Sequence, residues 1–167
     1  MIHMSKYSSL FLAVLTGAVL LGGCAVNPVS GKQDFVLMSE EAEIEMGRKA
    51  APEVIKEFSR YDNTELQAYV QRVGEELAAH SHRTNLVYRF TVLDSTDVNA
   101  FALPGGYIYI TRGLLAYLNS EAQLAAVLGH EIGHVTARHS VQQQSAAQAA
   151  DLGYTLGSIL FPELRNQ

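Results

Sequence analysis

Two histidines and one glutamate stand at a spacing that suits metal chemistry. His130 and His134 are four residues apart, and Glu131 directly follows the first of them. On a helix, side chains four residues apart share a face with Cβ atoms about 5–6 Å apart. Both imidazoles can then reach one zinc ion at about 2.0–2.1 Å. Glu131 lies about 100° around the helix, so it flanks the ion without binding it.

This arrangement predicts hydrolytic chemistry. Zinc lowers the pKa of a bound water towards about 7 and polarises a carbonyl. Glu131 would act as the general base that takes the proton of that water and passes it to the leaving amine. The alternative is an amphipathic helix whose histidines are four apart by chance. Against it, no other charged residue stands between Glu121 and Arg138.

Two glycines accompany the histidines. Gly129 and Gly133 also lie four residues apart, and each costs about 1 kcal/mol relative to alanine inside a helix. We therefore expect something to pack closely there, such as a strand or the backbone of a substrate.

His139 is a tempting third ligand. It follows His130 by nine residues, which is about 180° around a continuing helix, so it points away from the metal unless the helix breaks. A metzincin motif would need glycine at position 137 and histidine at position 140, where this chain has Ala137 and Ser140. We reject the metzincin interpretation and take His139 as a helix C-terminal cation or a rim residue.

The helices that must position these residues begin at recognisable caps. Ser120 and Gln123 fit a capping box that opens a helix from Glu121 to about His139. Ser39 caps an earlier helix that runs towards residue 60, in which Pro52 should cause a kink or a restart. Asn63 or Thr64 caps another helix. Its apolar residues recur at helical spacing, which predicts one buried face: Leu66, Val70, Val73 and Leu77.

Two strands are predicted between these helices. Period-two alternation from Val87 to Leu93 indicates a strand with one face in water. Pro104-Gly105-Gly106 is a strong turn signal. The run Tyr107–Ile110 is rich in β-formers and is predicted as the second strand, before a short helix that ends at Leu118.

The N-terminus is typical of a targeting signal. An uncharged run of twelve residues, Leu10–Leu21, follows Lys6, and it is shorter than the roughly 20 residues that span a bilayer as a helix. Gly22-Gly23-Cys24 completes a bacterial lipobox, so residues 1–23 are predicted as a signal peptide and Cys24 as the acylated residue. The alternatives are an ordinary signal peptide or a buried segment with an incidental cysteine. Ala25 fits outer-membrane sorting in a Gram-negative organism.

Composition sets further bounds. The 167 residues carry 48% hydrophobic residues and a net charge of −5, which favours one globular domain at residues 39–167 after a tether at 24–38. The acidic balance and the lack of a basic patch argue against a nucleic-acid partner. Because Cys24 is the single cysteine, an internal disulfide is impossible and any metal ligands must be His, Asp or Glu.

Several blocks occur in an order that resembles a known family. They are Asn99-Ala100-Phe101, Pro104-Gly105-Gly106, the strand 107–110, Gly113-Leu114-Leu115 and the block 129–134. Over about residues 35–140 the chain is similar to the HtpX-like zinc endopeptidases (metallopeptidase family forty-eight), specifically their periplasmic lipoprotein branch. The resemblance implies that His130 and His134 bind Zn2+, that Glu131 is catalytic, and that the strand 107–110 is an edge strand that can pair with an extended substrate.

The resemblance also implies a third ligand, a glutamate within a Glu-x-x-x-Asp pattern on a later helix. The 33 residues after His134 lack that pattern, and their weak candidates are Asp151 and Glu163. A catalytic zinc site normally has three protein ligands and a water. We therefore expect the sequence to be a C-terminally incomplete member of the family.

These observations define the expected fold and function. The expected fold is α+β and zincin-like, with the active-site helix packed under a small antiparallel sheet and with further helices. The expected function is a zinc-dependent endopeptidase of the bacterial cell envelope. It would be anchored through Cys24, face the periplasm, and cleave misfolded or misassembled envelope proteins. The alternatives are a non-catalytic, chaperone-like lipoprotein with an incomplete metal site, and a small structural lipoprotein in which the motif is accidental.

Overall fold

The computed structural model describes residues 24–27, 29 and 31–160, with the side chains of 24, 25, 35 and 155–160 left aside. The predicted signal peptide and Glu163 lie outside these residues, so the division into signal, tether and domain stays a prediction. The described strands are β1 (Cys24–Val26), β2 (Gln33–Phe35), β3 (Arg89–Leu93), β4 (Ala100–Leu103) and β5 (Tyr107–Thr111). The described helices are α1 (Glu40–Phe58), α2 (Thr64–Ala78), α3 (Arg112–Leu115), α4 (Glu121–Thr136) and α5 (His139–Leu160).

The three-stranded sheet has the order β3-β5-β4. β5 pairs with β3 in parallel and with β4 in antiparallel orientation. The α+β class is confirmed, but the sheet is mixed and β5 is its central strand, so the prediction of 107–110 as an edge strand is wrong. The β4–β5 hairpin places its second strand beside β3, which leaves β4 at the edge.

The two faces of the sheet are covered by different helices. Phe90, Val92, Ile108 and Ile110 are buried in one core together with the apolar faces of α2 and α4, as the alternation predicts. On the opposite face the Phe101 ring stacks on Tyr109 at a centroid distance of 5.1 Å and lies 6.4 Å from the ring of Phe58 in α1.

Helix α1 begins as predicted but does not break. Ser39 caps it by accepting a hydrogen bond from the N–H of Ala42, and the helix then continues through Pro52. A proline inside a helix removes one hydrogen bond and crowds the preceding turn. Contacts with the sheet hold both halves of α1, because Gly47 packs against Pro104 and Phe58 packs against Phe101. The predicted restart at Pro52 is therefore wrong, whereas the predicted kink stays a prediction.

Helix α2 covers the outer edge of β3 with amide side chains. Asn63 is its cap, and Val70 and Val73 are buried on its predicted face. Gln67 donates to the carbonyl of Val92 at 2.9 Å and accepts from the N–H of the same residue at 3.0 Å. Gln71 accepts from the N–H of Phe90 at 2.8 Å. These bonds satisfy backbone groups that an edge strand would otherwise expose.

The N-terminal hairpin β1–β2 lies against the junction between α4 and α5. The carboxylate of Asp34 accepts hydrogen bonds from the side chains of Asn27 and Gln142, at 2.5 and 2.7 Å. Gln142 also donates to the carbonyl of Ala137 at 2.6 Å. Part of the segment predicted as a tether therefore contacts the helices. Among the described helices, none has the length and apolar character needed to cross a membrane.

Candidate metal centre and substrate cleft

Helix α4 is fixed by its apolar side. Ser120 caps it by accepting from the N–H of Gln123. The side-chain oxygen of Gln123 accepts a hydrogen bond at 2.6 Å from the N–H of Asn119, the residue before the cap. Four apolar residues at helical spacing are buried against α2 and the sheet: Leu124, Leu128, Ile132 and Val135. Burial of this stripe turns the histidines towards the opposite, accessible side.

The two predicted ligands converge through the same ring nitrogen. The Nε2 atoms of His130 and His134 lie 3.1 Å apart, and their rings stand nearly perpendicular at 85°. Two nitrogens that bind one tetrahedral zinc ion at about 2.0–2.1 Å are about 3.3 Å apart. The pair therefore fits a shared metal ion with little movement, and His130 and His134 are the residues that would hold it.

Glu131 lies on the adjacent side of α4, next to the edge strand. It is 8% exposed, and with His130 it lines a cleft of about 390 Å³ between α4 and the start of β4, to which Asn99 and Ala100 also contribute. Among the described residues, none donates a hydrogen bond to its carboxylate. Glu131 can therefore accept a proton from a group bound in this cleft, as a general base must.

The structure corrects the predicted direction of His139. Helix α4 ends at Thr136 rather than near residue 139, Arg138 adopts a left-handed conformation with φ 56°, and α5 begins at His139. This break turns the His139 ring back to His134, with 2.8 Å between their Nδ1 atoms. His139 thus contacts the nitrogen of His134 that faces away from His130, so it lies beside the ligand pair and does not join it.

The expectation that a strand packs closely at the two glycines is wrong, whereas close approach of a substrate backbone stays a prediction. Among the described residues, no atom beyond the local backbone of α4 lies within 4 Å of a Cβ built at Gly129 or at Gly133. Gly133 instead lines an open pocket with His130, His134 and His139, and the turn of the N-terminal hairpin at Asn27 forms its other wall.

Of the two weak candidates for a third ligand, Asp151 lies among the described residues and does not complete the site, whereas Glu163 lies outside them. In the described part of the chain, no group of three His, Cys, Asp or Glu side chains is close enough to hold one ion. Asp151 is exposed on α5. Among the described residues, the candidate ligands that converge are therefore the two histidines.

A buried ionic cluster beside the site was not predicted. Glu43 is 1% exposed, and its carboxylate lies 2.7 Å from Nη1 of Arg83 and 2.7 Å from Nε of Arg138. Nη2 of Arg83 is 3.2 Å from a carboxylate oxygen of Glu40, but among the described residues no partner lies at hydrogen-bonding angles to that nitrogen. No local sequence pattern indicates this cluster, because Arg83 and Arg138 follow Glu43 by 40 and 95 residues.

Comparison with known proteins now decides the family. The model for Peptidase family M48 matches residues 64–163, which include β3–β5 and the residues His130, Glu131, His134 and His139. The chain belongs to Peptidase family M48. The resemblance to metallopeptidase family forty-eight is thereby confirmed, whereas membership of the lipoprotein branch stays a prediction.

Individual relatives agree with this assignment. The chain is 36% identical over 99 residues to the beta-barrel assembly-enhancing protease of Escherichia coli strain K12, covering 57% of this chain and 20% of that protein. It is 35% identical over 127 residues to the mitochondrial metalloendopeptidase OMA1 of Schizosaccharomyces pombe, covering 73% of this chain and 37% of the relative. The chain thus spans from about a fifth to somewhat over a third of the length of these relatives.

Proposed function

We propose that the chain is a zinc-dependent endopeptidase of the bacterial cell envelope, acting on misfolded or misassembled envelope proteins. The observation that carries the proposal is the convergence of the His130 and His134 Nε2 atoms at 3.1 Å beside Glu131, on the helix that lines the cleft of an M48 domain. The enzymatic class is supported by the family and by relatives that are named metalloendopeptidases.

His130 and His134 would hold the metal through Nε2. Zinc, when bound there, supplies an electrophile that polarises the scissile carbonyl and acidifies the attacking water. Glu131 would take a proton from the attacking water and return it to the leaving amine. Its position in the cleft, partly shielded from solvent, supports this role, because a peptide bound there would lie beside the carboxylate.

The edge strand β4 offers the substrate a backbone to pair with. In an antiparallel pair, residues alternate between hydrogen-bonded and non-hydrogen-bonded positions. The N–H of Thr111 donates to the carbonyl of Asn99, so these two residues form a hydrogen-bonded pair. The next hydrogen-bonded positions on β4 are therefore Phe101 and Leu103, which lie opposite Tyr109 and Tyr107. Ala100 and Ala102 then direct their backbone groups outward, where an extended peptide can add as a further strand. Such a peptide would lie along the cleft beside Glu131.

The N-terminus supports the proposed location of the protein, and the relatives support the proposed substrates. The lipobox at residues 21–24 supports anchoring of acylated Cys24 in a membrane, with the domain facing the periplasm and the outer membrane as the preferred site. The Escherichia coli relative is named a beta-barrel assembly-enhancing protease. That name supports unassembled envelope proteins as substrates of this chain.

Cleavage of an unfolded protein tests the enzymatic part of the proposal. We expect the zinc-loaded chain to cleave casein, and we expect a chelator to abolish cleavage. Glu131→Gln keeps the shape of the side chain but removes the base, so cleavage should fall by about 10²–10⁴-fold while zinc affinity is retained. Cleavage that is unchanged in Glu131→Gln would overturn the role of Glu131.

One observation favours a second candidate, a non-catalytic, chaperone-like protein. In the part of the chain that the structure describes, the metal site has two histidines and no third ligand, and a two-ligand site holds zinc weakly. Binding of unfolded envelope proteins without cleavage, unchanged by Glu131→Gln, would select this candidate. Ala102→Pro should weaken the binding in either case, because both candidates use β4.

A further inference from the structure

We propose that His139 is a positioning residue for the zinc ligand His134, which it orients through the Nδ1 atom of His134, the ring nitrogen that faces away from His130. We further propose that the ion pair between Glu43 and Arg138 fixes His139 in place. This inference rests on the proposed zinc site. It assigns a role to His139, Arg138 and Glu43, none of which would touch the metal.

The hydrogen-bond geometry at His134 leaves one arrangement compatible with a metal. Nε2 faces His130 at 3.1 Å and Nδ1 faces His139 at 2.8 Å. A neutral imidazole carries one proton, on one of its two nitrogens. If Nε2 of His134 binds zinc, the proton is on Nδ1, and Nδ1 of His139 must accept it. Such a bond fixes both the tautomer and the ring orientation of a ligating histidine.

The break between α4 and α5 is what brings His139 to this position. On a continuing helix His139 would point away from the metal, and the break requires Arg138 to adopt φ 56°. A left-handed conformation costs a residue other than glycine roughly 1–2 kcal/mol. The chain nevertheless places an arginine there, which indicates that the side chain of Arg138 is needed.

The Arg138 side chain is held from two sides. Its Nε donates to the buried carboxylate of Glu43 at 2.7 Å, and its Nη2 donates to the carbonyl of Met38 at 2.9 Å. Arg83 contacts the other oxygen of Glu43 and also donates to the carbonyl of Val135 at 3.2 Å, near the end of α4. The start of α1 is thereby connected to the residue that precedes His139.

Zinc affinity of the purified chain, measured by competition with a chromophoric chelator, tests the inference. In His139→Leu the acceptor is lost, and we expect the affinity to fall by about 10–100-fold, as for other partners of metal-ligating histidines. His139→Asn places an amide oxygen near the former Nδ1 atom, so we expect affinity to return to within about threefold of the wild type. His80→Leu alters an exposed histidine far from the site along the chain and serves as the control.

The second arm tests the connection to Glu43. Arg138→Gly keeps the left-handed backbone without strain but removes the ion pair, so we expect zinc affinity to fall here too. In the zinc-free protein, the nuclear Overhauser contact between the rings of His134 and His139 should be present in the wild type and lost in Arg138→Gly. This readout reports the positioning without metal or activity.

The outcomes separate this inference from the proposed function. A wild-type chain that binds no zinc would overturn both. Zinc binding by the wild type with unchanged affinity in His139→Leu would overturn the positioning role alone. Loss of affinity in both His139→Leu and His139→Asn would show that His139 binds the metal itself, which also overturns it.

Discussion

At the residue scale, the least expected feature is a carboxylate that is buried beside the candidate metal centre and is not one of its candidate ligands. Glu43 is 1% exposed and accepts hydrogen bonds from two guanidinium groups. Burial of a charge is costly unless it is paired and hydrogen-bonded, and here both oxygens are engaged. The cluster holds three separate parts of the chain together, namely the start of α1, the loop after α2 and the junction of α4 with α5.

Truncation of this carboxylate should be strongly destabilising. Glu43→Ala removes the carboxylate shared by the buried guanidinium of Arg83 and the part-buried guanidinium of Arg138, so we expect the free energy of unfolding to fall by about 3–5 kcal/mol. Urea denaturation followed by circular dichroism measures it. Glu45 is the matched control, two residues along the same helix. Its pairing with Arg48 lowers its pKa to about 2, but the pair is exposed to solvent.

The control is expected to leave the denaturation midpoint unchanged, because water and salt screen exposed ion pairs. A midpoint for Glu43→Ala close to that of Glu45→Ala would contradict the structural role of the cluster.

A second residue-scale prediction concerns alkaline pH. Burial raises the pKa of Tyr109, which is 2% exposed, to about 12, whereas a tyrosine in an unfolded chain ionises near about 10. Folding therefore favours the protonated phenol. Its contribution to stability is fully present below pH of about 10 and is lost as pH rises towards about 12.

We expect Tyr109→Phe to remove this component, so that its free energy of unfolding declines less between these pH values than that of the wild type. Thermal or urea unfolding across the alkaline range checks the slope. Tyr117→Phe changes an exposed ring and should keep the wild-type slope; identical slopes in all three proteins would refute the argument.

At the element scale, short sequence patterns predict the features that neighbouring residues determine, namely helix caps and buried faces. The caps at Ser39, Asn63 and Ser120 and the buried faces of α2 and β3 follow from spacing alone. The end of α4 does not, because no glycine or proline marks it. The break at Arg138 is held by Glu43, 95 residues earlier, and no local pattern records that contact.

Strand order was missed for a related reason. The sequence marks β5 as a strand, but its place between β3 and β4 depends on how the β4–β5 hairpin docks on β3. Of the candidate site, the motif predicts the two ligands and the base. The contact of His139 with His134, which the helix break creates, could not be predicted from the motif because it depends on the tertiary structure.

The glycines of α4 give an element-scale prediction. A Cβ at Gly129 would meet no described atom within 4 Å, so Gly129→Ala should raise the free energy of unfolding by up to about 1 kcal/mol through helix propensity. The contrast is Gly113→Ala. There a Cβ would collide with the carbonyl oxygens of Thr96 and Asp97, and we expect a loss of about 1–3 kcal/mol.

Thermal denaturation of both variants measures the difference. A destabilising Gly129→Ala would mean that this side of α4 is closely packed in solution, as the sequence alone led us to expect.

At the scale of the whole molecule, the described sheet has one covered edge and one open edge. The outer edge of β3 is occupied by the side chains of Gln67 and Gln71. β4, at the other end, lies next to α4 and to Glu131 in the cleft. Helices on both faces, an amide-covered β3 and an accessible β4 would together direct an incoming extended peptide to the side of the candidate catalytic groups.

A proline in β4 tests this directional argument. The N–H of Ala102 is directed away from β5 in the register described above, so Ala102→Pro removes a donor for the substrate without removing a bond within the sheet. We expect the apparent affinity for an extended peptide to fall, with KM raised several-fold, while zinc affinity and the unfolding midpoint stay close to those of the wild type.

Phe101→Pro is the matched contrast, since it removes a bond to β5 and should destabilise the sheet. If Ala102→Pro cleaves and binds peptides as the wild type does, substrates do not pair with β4 and must enter the cleft by another route.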